Sequence, residues 1–122
     1  MKNPVSWFEL PALDLARAKK FYEEVFGFEM TPETNAGYEM LSFPMQRGGI
    51  GATGGLMKGF GYKPSLTGTT VYLDTNMIDE MEKKIVIAGG KIHVPKKDIG
   101  EYGYISIFED SEGNRVGLYQ RK

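Results

Sequence analysis

Glu9 and Trp7 are the side chains in this sequence best placed to do chemistry. They stand two residues apart on an alternating stretch, so they share one face of a strand whose other face carries Phe8, Leu10 and Ala12. A carboxylate partly desolvated in a hollow can work as a general acid or base, or grip a cationic or hydroxylated ligand. It can equally spend its charge in an ion pair with Arg115. The indole can be a stacking platform for a flat ligand, or simply fill a core or an interface. Residue counts close off other chemistries. Zero cysteines remove disulfides, thiolate nucleophiles and thiolate metal sites, and a lone histidine, His93, leaves no Ser-His-Asp triad to assemble. His93 reads as a surface or hydrogen-bonded histidine. The glycines from Gly48 to Gly61 lack a following Lys-Ser/Thr and read as tight strand packing, not a phosphate loop.

The elements that must position these residues follow from periodicity. Residues 5–12 alternate as a strand, Asp14 can cap a helix, and Leu15, Ala18, Tyr22 and Val25 recur at helical spacing with Phe21 beside them. Gly27 stops that helix. Strands are expected over 28–31, 38–43 and 50–57, with 32–37 as a turn and 58–67 as a loop. A second cycle begins at 69–74. Thr75 or Asn76 caps its helix, Ile78, Met81, Ile85 and Ala88 form the buried stripe, and Gly89-Gly90 ends it. Strands over 91–94, 102–108 and 115–119 follow, with 110–114 as the last hairpin turn and Lys96-Lys97 in a solvated loop.

Laid on itself at an offset of 63 residues, the chain places Gly27 on Gly90, Leu10 on Leu73, Leu15 on Ile78, Tyr22 on Ile85 and Val25 on Ala88. Cap, stripe and stop coincide without a gap, which predicts two βαβββ repeats, about 4–60 and 66–122, in a single domain of 122 residues. The expected fold is α+β: one curved, mixed eight-stranded sheet with both helices on its outer face and the site on its concave face. The same offset lays Tyr72 over Glu9, predicting a hydrogen bond across the hollow, and Thr70 over Trp7. Tyr119 and Leu56 would make the cavity mostly aromatic and apolar.

Three stretches resemble the vicinal oxygen chelate superfamily, which includes glyoxalase I, bleomycin-resistance proteins and extradiol dioxygenases. They are Trp7-Phe8-Glu9-Leu10-Pro11 with Asp14-Leu15-Ala16-Arg17-Ala18, then Phe21 through Gly27, then Phe108 through Leu118. The resemblance implies a paired βαβββ fold, usually homodimeric, with a divalent metal in the concave sheet of the enzymes. Its ligands there are His, Glu or Gln on the first and last strand of each repeat. The family pattern puts the first ligand at Trp7 and the last at Gly117, and the repeat offset puts the other two at Thr70 and Gly54. An indole, a hydroxyl and two glycines are not a metal set, so no cofactor is expected and a divalent metal is disfavoured.

The expected function is therefore binding of a small organic molecule in a metal-free concave cavity, with Trp7, Glu9, Leu56, Thr70, Tyr72, Arg115 and Tyr119 as contacts. One alternative is a glyoxalase-like lyase or isomerase, metal-dependent or using Glu9 as acid/base. Another is a structural or regulatory module with a filled cavity. A formal charge of -1 gives no basic footprint for nucleic acid, and no apolar run reaches the ~20 residues of a membrane span. Self-association as a homodimer and a cytoplasmic location complete the expectation.

Overall fold

In the computed structural model, residues 3–35 and 38–122 are described. The first repeat runs β1 (Phe8–Pro11), α1 (Leu15–Phe26), β2 (Thr31–Asn35), β3 (Tyr38–Ser42) and β4 (Gly54–Lys58). The second runs β5 (Tyr72–Asp74), α2 (Ile78–Ile87), β6 (Lys91–Asp98), a 3-10 turn (Gly100–Tyr102), β7 (Tyr104–Glu109) and β8 (Arg115–Gln120). Helix α1 begins and ends where local chemistry dictates. The Asp14 carboxylate accepts the Arg17 amide at 3.1 Å, and Gly27 takes the left-handed conformation at φ 76°. Ala18, Phe21, Tyr22 and Val25 are buried, as are Ile78, Met81 and Ile85 of α2.

The expected single sheet is two sheets. Each repeat closes its own four strands in the same order, β1-β4-β3-β2 and β5-β8-β7-β6, and β1 and β5 do not pair with each other. In each, the first strand lies parallel to the last. What joins the repeats is the core: α1 packs on α2, and the Phe21 ring stacks against Phe108 of β7 at 6.2 Å. Leu10, Leu41 and Leu56 from one sheet and Phe108, Val116 and Leu118 from the other complete it. Burying a side chain of this size stabilises the fold by roughly 1.5–3 kcal/mol.

Several boundaries move for physical reasons. Residues 28–30 are not a strand: Phe28 stacks on Phe26 at 5.3 Å, and the Met30 amide donates to Glu23, which docks this segment on α1. Residues 32–35, read as a turn, belong to β2, an edge strand where Pro32 leaves no ladder bond unmade; residues 36–37 lie outside the described residues. Strand β4 starts at Gly54, because Thr53 turns its hydroxyl to the Pro44 carbonyl at 2.7 Å. Helix α2 is not capped by Asn76, nor does Thr75 act as its N-cap. Met77 holds the cap position, and the Ile78 amide is satisfied by the Gln120 side chain at 2.8 Å. Lys96 lies in β6, its ammonium 3.2 Å from Asp79 and 4.6 Å from the Tyr104 ring centroid, so it is not in a solvated loop.

The repeat itself carries a one-residue slip. Leu10 and Leu73 stand 63 residues apart, yet their strand partners Leu56 and Leu118 stand 62 apart. The counterpart of Gly117 is therefore Gly55, the partner of Glu9, and not Gly54.

Candidate functional site

Strand β1 divides its side chains as alternation requires. Leu10 goes to the core, while Trp7 and Glu9 remain exposed on the other face. Glu9 is thus solvated where a desolvated carboxylate was expected. It is nonetheless held: Oε1 accepts the Tyr62 hydroxyl at 2.8 Å and Oε2 accepts the Trp7 indole N–H at 3.3 Å. Neither Tyr72 nor Arg115 fills the role expected of it. Tyr72 belongs to β5, which does not pair with β1, and the Arg115 guanidinium donates to the Thr70 hydroxyl at 2.5 Å.

A cleft of about 430 Å³ opens along the free edge of β1. Trp7, Phe8, Glu9 and Pro11 form one wall, Lys63, Ser65 and Val71 from the inter-repeat connection another, and Asn114 and Arg115 the third. Of the seven sequence candidates, Trp7, Glu9 and Arg115 meet here, with Thr70 attached through Arg115. Tyr72 and Tyr119 do not line this cleft. They stand on one face of the second sheet, where the Tyr119 hydroxyl donates to the Tyr102 carbonyl. Leu56 is a correction: it pairs with Leu10 and is fully buried in the hydrophobic core, because β4 turns that face to the helices. Tyr62, Lys63 and Ser65 were missed because they lie in a connection without periodicity, and only the tertiary fold brings it against β1.

The wall spacing is set by a buried polar latch that local sequence does not reveal. Asn114 donates to the Pro11 carbonyl at 2.7 Å and to Asp110 at 3.0 Å, which ties the β7–β8 turn to the end of β1. The Tyr22 hydroxyl, fully buried in α1, donates to Asp110 at 2.6 Å. Burial, then the charge and hydrogen bond of Asp110, push the Tyr22 phenol well above its usual value. Glu112 receives the Leu13 and Asp14 amides at 2.8 and 2.9 Å and a two-pronged bond from Arg17 at 2.7 and 3.0 Å. Burial would raise the Glu112 carboxyl, but the Arg17, Asp14, Leu13 and Ser111 bonds outweigh it and hold the group below the carboxylate norm.

Of the four positions the resemblance implies for metal ligands, Trp7 lies over Gly55 and Gly117 lies under the Tyr72 ring. A Cβ on Gly55 would meet the Trp7 indole at 3.4 Å, and one on Gly117 would meet the Tyr72 ring at 2.4 Å. Gly54 faces the other way, toward Phe8. The Thr70 hydroxyl is engaged by the Arg115 cation, which would repel a dication. A divalent metal does not fit this set, and among the described residues no three His, Cys, Asp or Glu side chains gather to hold one. His93 shares a hydrogen bond with Glu109 at 2.9 Å and stays exposed, as a surface histidine does. Among the described residues no helix is long and apolar enough to cross a membrane.

Two βαβββ units, each with its own mixed sheet and an outer helix, define a two-repeat α+β domain of glyoxalase type. The chain belongs to the Glyoxalase/Bleomycin resistance protein/Dioxygenase superfamily, whose profile matches residues 5–118. It is 29% identical over 118 residues to a Mycobacterium bovis protein named putative glyoxylase CFP32, covering 94% of this chain and 44% of that protein. The chain thus spans less than half the length of that curated relative. The fold is shared with a glyoxylase/bleomycin resistance protein/dioxygenase domain from Frankia sp. EAN1pec (TM-score 0.75, 16% identity, 100% of both chains). It is also shared with the genomically encoded fosfomycin resistance protein FosX from Listeria monocytogenes (TM-score 0.70, 18% identity, 100% of this chain and 94% of that one).

Proposed function

We propose that this protein binds a small organic molecule in the cleft beside β1, without a metal, and acts by holding it. The observation that carries the reading is the cleft itself: about 430 Å³, walled by an indole, with Glu9 and Arg115 on different elements. That volume lies within the range of roughly 300–1,000 Å³ typical of ligand pockets. Glu9 arrives oriented by two donors, so a ligand meets a fixed acceptor and loses less entropy in ordering it. The test is calorimetry against a panel of small aromatic and aliphatic compounds. Trp7→Ala and Glu9→Ala should each abolish binding that the wild type shows; binding that survives both substitutions would remove the cleft from the function.

The word glyoxylase in the name of the mycobacterial relative favours a second reading, a glyoxalase-like enzyme, and in such a lyase or isomerase Glu9 would be the acid/base. A bell-shaped pH–rate profile lost in Glu9→Gln would support it, and turnover indifferent to that change would end it. Homodimer formation belongs to the same proposal, since among the described residues β1 and β5 each leave one edge unpaired by strand. Sedimentation at micromolar concentration should give a dimer, and a monomer would count against it. A cytoplasmic location and the absence of a nucleic-acid partner belong to the same proposal; in support of the second, a formal charge of -1 supplies no basic footprint.

A further inference from the structure

The charges around the cleft do not balance, and the imbalance says what enters. Lys63 and Arg115 both line it, and among the described residues neither forms an ion pair. Arg115 is half-buried, and its hydrogen bond goes to a neutral partner, the Thr70 hydroxyl. A guanidinium has five N–H donors in a rigid fork, and withdrawing one from water without an oxyanion is costly. The strand pairing offers an obvious counterion in Glu109, which sits directly opposite Arg115. Glu109 bonds His93 at 2.9 Å instead, and the guanidinium is left to the cleft. Glu9 is the carboxylate of the lining and accepts from two neutral donors, so against Lys63 and Arg115 the lining keeps an excess of one positive charge.

We infer that the ligand is an organic oxyanion: a carboxylate or equivalent acidic head bound by Arg115 and Lys63, with an apolar or aromatic body lying against Trp7 and Val71. The inference rests on the cleft being the binding site and adds the sign of the ligand's charge. A cationic ligand would meet two like charges in the lining against the single carboxylate of Glu9.

The experiment uses three probes of one shape and different charge: phenylbutyrate, phenylbutanol and phenylbutylammonium. Trp7 is the only tryptophan, so its fluorescence reports the cleft directly, and calorimetry supplies an independent readout. Phenylbutyrate should bind about tenfold tighter than phenylbutanol, as a charge-assisted hydrogen bond allows, and the ammonium weakest. Arg115→Gln should remove about tenfold from phenylbutyrate and leave phenylbutanol within about twofold, and raising the salt should weaken the anion alone. Lys63→Gln, at an exposed position, should weaken phenylbutyrate about threefold and decides the matter if Arg115→Gln fails to fold. Equal affinity for the three probes, or preference for the ammonium, overturns the charge assignment while leaving a binding cleft. Absence of any response to all three, by fluorescence and by heat, overturns the cleft reading as well.

Discussion

Glu112→Gln should destabilise this protein at the joint between its repeats. The Glu112 side chain is wholly buried and accepts two backbone amides and an Arg17 fork, while the Arg17 side chain is 52% exposed. The amide keeps an oxygen for Leu13 and Asp14 but loses the charge that faces the guanidinium. Hydrogen bonds to a charged group contribute about 1.5–3 kcal/mol, and solvent around Arg17 screens this one toward the lower end. A loss of about 2 kcal/mol is expected, which for a chain of this size lowers Tm by about 8 °C. The pH dependence adds a second constraint. Because the folded Glu112 carboxyl is held below its ordinary value, its contribution is complete above the unfolded value near ~4.3 and is lost as pH falls through the folded one. The wild type should therefore exceed Glu112→Gln by the full amount at neutral pH and converge on it in acid. Thermal unfolding by circular dichroism across that range measures both. A Tm change under about 2 °C at neutral pH, or a deficit that persists undiminished in acid, would refute the account of the latch.

Tyr22 tests the same joint from the other side. Its raised phenol means the folded state favours the protonated ring, a contribution present below the unfolded value of ~10 and lost as pH climbs. Of the seven tyrosines, Tyr22 should titrate last in ultraviolet absorbance, and only as the protein unfolds; ionisation of all seven in a folded protein would contradict it. Gln120→Ala removes the side-chain acceptor for the first amide of α2, and a loss of about 1 kcal/mol in denaturant unfolding is expected. An unchanged midpoint would mean that solvent caps the helix equally well.

Local chemistry determined both helices of this protein, the Asp14 cap, the Gly27 stop and the division of β1 into a core face and an outward face. These depend on neighbours three or four residues apart, or on strict alternation, and such patterns persist whatever the rest of the chain does. The doubling of the βαβββ unit was legible for the same reason, because the stripes of α1 and α2 repeat. The one-residue slip that exchanges Gly54 for Gly55, the burial of Leu56, the Gln120 cap and the separation into two sheets were decided by pairings between distant strands. A single residue gained or lost in a connection reverses which face a side chain occupies, and no local pattern records it. The latch of Tyr22, Asp110, Glu112 and Asn114 is legible only in tertiary structure. Its turn is as polar as any exposed hairpin, and burial becomes tolerable only because Arg17, Leu13, Asp14 and Pro11 supply its partners from the other repeat. The site follows the same division. Trp7 and Glu9 were visible from β1 alone, whereas Tyr62, Lys63 and Ser65 entered it through a connection that only the folded core brings into place.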